Sequence, residues 1–184
     1  MKSRLLFFFT LFFIGIVGSV NAQCTVSSSY NTSALACGVA PLSGCGGVVY
    51  IGDGINPVTI TFNAILDLTC LGAVQFIVRN GAVLDFSPGN SYLRLAAGSS
   101  IYFQPGSNLF GGSCNSSERI YIGTDLIASC NGNGPGADYD FPGLLNLGGY
   151  NIVNDTSPSH STCGSGSFTL TAAAIPATGA TLRW

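Results

Sequence analysis

A stretch in the middle of this chain repeats itself, and the repeat narrows what the chain can fold into. Asn80-Gly-Ala-Val-Leu-Asp-Phe-Ser-Pro-Gly-Asn-Ser-Tyr-Leu93 aligns without gaps with Ala97-Gly-Ser-Ser-Ile-Tyr-Phe-Gln-Pro-Gly-Ser-Asn-Leu-Phe110. Gly81 falls on Gly98, Leu84 on Ile101, Phe86 on Phe103, Pro88 on Pro105, Gly89 on Gly106 and Leu93 on Phe110. Core-type and turn-type residues coincide together. That pattern suits a β-solenoid, in which one coil cannot bury its apolar face alone but stacked coils can. Equivalent apolar residues one coil apart would then stack, with Pro-Gly corners turning the chain at the same height. The competing arrangement is a pair of similar hairpins in a β-sandwich.

The rest of the chain supports an all-β fold. Short alternating runs at residues 48–51, 58–62, 74–78, 83–86, 100–103 and 119–122 lie between Gly, Pro, Asn and Ser punctuation, which is the period-two signature of strands. No segment after residue 22 reads as a long amphipathic helix. Residues 131–140 are loop-rich, and Phe141-Pro-Gly-Leu-Leu-Asn-Leu-Gly-Gly149 reads as a segment that closes the last coil, since solenoid ends expose strand edges. The expected organisation is a β-solenoid domain with its cap at 23–153, a Ser/Thr/Gly/Pro linker at 154–166, and the start of an immunoglobulin-like β-sandwich domain at 167–184. A strand that stops at Trp184 reads as half a domain, so the chain is expected to be the front of a longer protein.

Residues 1–22 have the three parts of a secretory signal peptide. Lys2 and Arg4 precede an apolar run from residue 5 to 20, and Val20-Asn21-Ala22 forms a cleavage site ahead of Gln23. A transmembrane helix needs about 20 apolar residues, and this run is shorter. The expected destination is therefore secretion or the cell surface, with no membrane insertion after cleavage. Beyond the leader the chain has four arginines, no lysine and eight acids, a formal charge of −4. Nucleic acids and anionic membranes need clustered cations, so they are not expected as partners.

All seven cysteines follow the leader, and in an oxidising compartment they are expected to form disulfides. Cys37 with Cys45 and Cys114 with Cys130 are the most economical local pairs, although spacing does not fix connectivity. The count is odd, so one cysteine is free or has its partner in another chain. A zinc site is disfavoured because there is no Cys-x-x-Cys and His160 is the only histidine.

Two segments resemble the multidomain secreted and surface proteins of Bacteroidota-type gliding bacteria. Gly112-Ser-Cys-Asn-Ser-Ser-Glu-Arg-Ile-Tyr-Ile-Gly-Thr-Asp-Leu-Ile-Ala-Ser-Cys130 looks like the disulfide-flanked strand pair that closes their N-terminal β-helical region. Cys163-Gly-Ser-Gly-Ser-Phe-Thr-Leu-Thr-Ala, continuing to Thr181-Leu-Arg-Trp184, looks like the start of their immunoglobulin-like repeat. The likeness covers about a third of the mature chain and brings no catalytic motif. It implies that Cys163 pairs within the rest of that repeat.

Candidate chemistry is sparse. Asp67 and Asp85 are the best carboxylate pair for glycoside hydrolysis, but the internal repeat puts Tyr102 rather than an acid one coil on from Asp85. Outward-facing solvated aspartates are the expectation. Arg79 and Arg94 do not fall on equivalent positions of that repeat. His160 lies among linker serines without the third group that a triad requires. Asp138 and Asp140, in a loop rich in Gly and Asn, are the best calcium candidates, because alternating acids and free carbonyls supply the oxygens calcium wants. An Asx-turn loop competes with that reading. Tyr92, Tyr102 and Tyr121 are candidates for a sugar-stacking platform, weighed against ordinary half-buried strand residues. The expected function is a non-enzymatic extracellular structural or adhesion module that contacts polysaccharide or surface proteins. The alternative is a carbohydrate-binding or polysaccharide-degrading β-helix.

Overall fold

A computed structural model describes residues 23–151. The expected signal peptide at 1–22, linker at 154–166 and immunoglobulin-like start at 167–184, with His160 and Cys163, lie outside the described residues. Within them the chain winds through about four turns of a β-solenoid. The first turn holds β1 (Gln23–Val26) and β2 (Tyr30–Asn31), and the second β3 (Gly47–Ile51), β4 (Val58–Thr61) and β5 (Leu66–Asp67). The third holds β6 (Val74–Val78), β7 (Ala82–Asp85) and β8 (Tyr92–Leu95), and the fourth β9 (Ser100–Phe103), β10 (Asn108–Phe110) and β11 (Arg119–Ile122). A closing segment follows: β12 (Asp125–Ser129), β13 (Tyr139–Asp140), helix α1 (Phe141–Asn146) and β14 (Gly149–Asn151).

Successive turns build three walls. The strands β1, β3, β6 and β9 pair in parallel, as do β2, β4, β7 and β10, and likewise β5, β8 and β11. Side chains alternate inward and outward along each strand, so in β7 Ala82 and Leu84 are buried while Val83 and Asp85 are half-buried. Parallel register then stacks like on like. Ile60, Leu84 and Leu109 form one inward row, and Phe76 and Ile101 another. Just past the ends of β4 and β7, Phe62 and Phe86 lie face to face with ring centroids 3.9 Å apart and planes 8° from parallel.

The internal repeat is real but is shorter than one coil. Thr59 pairs with Val83, Gln75 with Ser100 and Tyr92 with Arg119, and each of these separations exceeds the step from Gly81 to Gly98. The two copies fall on different walls, at β7 and β9. What they share is a strand entry and a corner. Gly81 and Gly98 have φ of 76° and 79°, a left-handed conformation that glycine adopts without steric cost. The Pro-Gly corners lead out of each strand. Leu84 therefore stacks on Ile60 and Leu109 rather than on Ile101, and Asp85 has Thr61 and Phe110 as row neighbours rather than Tyr102.

Disulfides fasten the first coil, and a change of strand direction closes the last. At the first turn, disulfides join Cys24 to Cys45 and Cys37 to Cys70, and Leu35 and Leu42 are buried beneath them. The local Cys37–Cys45 pairing is thus corrected. Parallel pairing of β1 with β3 brings Cys24 beside the entry to β3, where Cys45 lies, and Cys70 is one turn on from Cys37. The Cys114–Cys130 pair forms as its spacing suggests. At the other end, β12 runs antiparallel to β11 and β14 antiparallel to β9. Gly149, at φ 107°, crosses so close to the Ile101 carbonyl that no Cβ fits. Asp140 caps α1 by accepting the Gly143 N–H at 2.6 Å, and the helix turns Phe141 and Leu144 inward. The Phe141 ring lies 5.0 Å from that of Phe86 and finishes the aromatic stack. Among the described residues no helix is long and apolar enough to cross a membrane.

Because Phe86 sits between Phe62 and Phe141, truncating it opens a cavity in the middle of the stack. Phe86→Ala is expected to lower unfolding stability by about 3–5 kcal/mol, measured by chemical denaturation.

Candidate functional site

The outward face of the third wall sets two tyrosines and two arginines side by side. β8 reads Tyr92-Leu-Arg-Leu95 and β11 reads Arg119-Ile-Tyr-Ile122, each with its leucines or isoleucines inward. Their parallel register sets Tyr92 beside Arg119 and Arg94 beside Tyr121. The result is a two-by-two checkerboard of phenol and guanidinium on adjacent strands.

Its contacts are specific. The Tyr92 and Tyr121 rings meet edge to face at 5.4 Å and 77°. The Arg94 guanidinium lies 5.2 Å from the Tyr92 centroid and 5.0 Å from that of Tyr121, within the range where a cation is drawn to an aromatic face. Arg119 donates from Nη1 to the Tyr121 hydroxyl at 3.1 Å and from Nε to the Ser116 carbonyl at 2.6 Å. Below it, Glu118 is 1% exposed and accepts the Asn115 N–H at 2.8 Å, which fastens the loop before β11. Arg94 Nε is enclosed and has no hydrogen-bond partner among the described residues. Leaving a donor in that state costs about 1–3 kcal/mol.

Asp67 borders this face, opposite Arg94 on β5. Hydrogen bonds from the Thr69 hydroxyl and N–H hold its carboxyl below the usual range, and the Arg94 charge adds to them. Asp85 lies on another wall and accepts the Ser87 N–H at 2.9 Å. The two acids weighed as a hydrolytic pair therefore each serve their own turn and do not face one another. Tyr102, on the first wall beside Ile77 and Gly149, also stands apart from Tyr92 and Tyr121.

Asp138 and Asp140 have different partners. Asp140 is the α1 cap. Asp138 and Tyr150 line an open cleft of about 400 Å³, with Asp125 also on its wall. Burial, and then the Asp138 charge, push the Tyr150 hydroxyl above its ordinary value. Among the described residues no three His, Cys, Asp or Glu side chains converge as a metal site.

Sequence reasoning picked out Tyr92 and Tyr121, set Arg94 aside with Arg79 as off the repeat, and did not single out Arg119. The signal was present in the outward positions, where Tyr-x-Arg at 92–94 answers Arg-x-Tyr at 119–121. It becomes readable once Tyr92 and Arg119 are known to be one coil apart. Comparison of the chain with protein-family models, with curated proteins and with solved structures finds no match.

The corner acids predict how the fold responds to acid. Asp53 accepts the Ile55 and Asn56 N–H groups and the Asn56 side-chain amide, and these bonds, Asn56 first, lower its pKa from 3.8 to about 2. A depressed folded value means that the stabilisation is complete above pH 3.8 and is lost as pH falls through about 2. Asp53→Ala is therefore expected to lower Tm at pH 6, and its deficit against wild type should shrink towards zero near pH 2, as followed by thermal melts across that range.

Proposed function

We propose that this chain is a non-enzymatic extracellular module for structure and adhesion. It is exported by its leader and leads into an immunoglobulin-like repeat, in the manner of the gliding-bacterial surface proteins it resembles. The observation that carries the reading is the placing of the three disulfides. Two staple the first turn of the solenoid and one brackets the last. Crosslinks of this kind persist in oxidising compartments and suit a scaffold held rigid outside the cell.

The working surface in this reading is a wall of the coil, and its partner is an extracellular polysaccharide or a surface protein. The carbohydrate-binding alternative draws support from the tyrosines and arginines of β8 and β11, because ring faces and guanidinium forks both suit sugars. Hydrolysis draws none from Asp67 and Asp85, which lie on separate walls.

Two measurements test the proposal. Incubation with a panel of polysaccharides is expected to leave reducing ends unchanged, and sustained product release would sink the non-enzymatic reading. Reduction of the disulfides is expected to lower stability by about 3–4 kcal/mol for each bridge, since they close sequence separations of 21, 33 and 16 residues. Calorimetry with and without reductant checks this, and an unchanged Tm would remove the basis for a stapled scaffold.

A further inference from the structure

We propose that the face formed by Tyr92, Arg94, Arg119 and Tyr121 binds an acidic polysaccharide whose sugars carry carboxylates. The inference rests on the adhesive reading above and names the partner.

Charge provides the first argument. The mature chain is lysine-free and acidic, with four arginines in all, yet two of them stand on adjacent strands of one wall. Asp67 is the carboxylate opposite Arg94, and Thr69 already engages it. Two guanidiniums side by side on an acidic protein, with Asp67 at the edge of their row, favour an anion between them. Arginine narrows the class further, because its planar fork matches a carboxylate with two parallel hydrogen bonds.

The state of Arg94 provides the second. Its guanidinium is held against two tyrosine rings, and with Nε enclosed its Nη groups are the ones left to meet a ligand. Arg119 is pinned through Nε and Nη1. One guanidinium is thus pre-oriented by ring faces and the other by hydrogen bonds, so little side-chain freedom remains to be lost on binding.

The wall itself provides the third. Parallel strands repeat at about 4.8 Å, and outward residues in register form straight rows across them. A linear sugar chain crossing β8 and β11 would meet a phenol and a guanidinium on each strand. An extended contact over two strands suits a chain better than a single small molecule, which calls for a concave site.

The test is affinity electrophoresis of the full secreted protein through gels containing polygalacturonate, neutral dextran or dextran sulfate. Retardation is expected in polygalacturonate and not in dextran, and raised salt should weaken it. Arg94→Gln and Tyr121→Ala are each expected to reduce apparent affinity about tenfold. Arg94→Lys keeps the charge without the fork and should recover only part of the loss. Arg79→Gln removes the same charge from a guanidinium that lies 3.7 Å over Tyr50, away from this face, and should bind like wild type. Far-UV circular dichroism confirms that each variant is folded, and Arg119→Gln replaces any that is not.

Equal retardation in dextran would overturn the proposal, as would retardation in dextran sulfate alone. Identical behaviour of Arg94→Gln and Arg79→Gln would reduce the effect to net charge and overturn it too. Reducing-end release from polygalacturonate, together with retardation, would keep this site but overturn the non-enzymatic reading. Absence of retardation in polygalacturonate overturns the site alone and leaves adhesion to a surface protein.

Discussion

The face-to-face contact of Phe62 with Phe86 shows in one place what holds the molecule together. A coil of this kind has almost no interior of its own. Its inward side chains become buried only when another coil lies above or below them, so the stabilisation resides between coils. Burial of each large apolar side chain contributes about 1.5–3 kcal/mol, and the rows Ile60–Leu84–Leu109 and Leu66–Leu93–Ile120 repeat that gain from turn to turn. Backbone ladders align the rows, and the rows in turn fix the register of the ladders.

That dependence explains the unusual polar composition. Corners between strands must satisfy their own N–H groups, since no ladder passes through them. Short side chains do this locally. Asp53, Asp67, Asp85, Asn115 and Asn131 each accept a backbone N–H two residues further on. Three of the acids, Asp53, Asp67 and Asp85, are thus engaged in turning the chain. Arg94 and Arg119 stand within strands, where tyrosine rings and hydrogen bonds hold their side chains along one face.

The same logic decides what could be read from the residues alone. The strands at 47–51, 58–61, 74–78, 82–85, 100–103 and 119–122 were legible because alternation is a local property. The closing role of Phe141 and its neighbours was legible as well, though its helical form was not: so short a helix, with Pro142 and Gly143 inside it, gives little periodicity. The pitch was hidden because corners vary in length. Thr59 with Val83, Gln75 with Ser100 and Tyr92 with Arg119 are all stacked partners at unequal separations, and no single offset reveals them. The shorter internal repeat matches one strand and corner to another. It therefore reports the shared chemistry of corners, not the stacking. The Cys24–Cys45 and Cys37–Cys70 links depend on stacking too, and sequence proximity pointed elsewhere. The Tyr/Arg checkerboard was hidden for the same reason, since its members meet only at the true pitch.

A stack of parallel strands would go on recruiting strands at its ends unless something stopped it. Here the stop is a change of direction. β12 and β14 turn antiparallel against the last coil, α1 presses Phe141 onto the aromatic stack, and Cys114–Cys130 ties the loop before β11 to the end of β12. This closing apparatus lies next to the strand that carries Arg119 and Tyr121. The wall with the checkerboard is thereby extended by β12 and β13 to five strands, and β11 has a neighbour on both sides. A strand paired on both edges cannot shift register without breaking two ladders, so its outward side chains keep fixed spacings. The feature that closes the last coil is thus also the one that holds the outward side chains of this face in place.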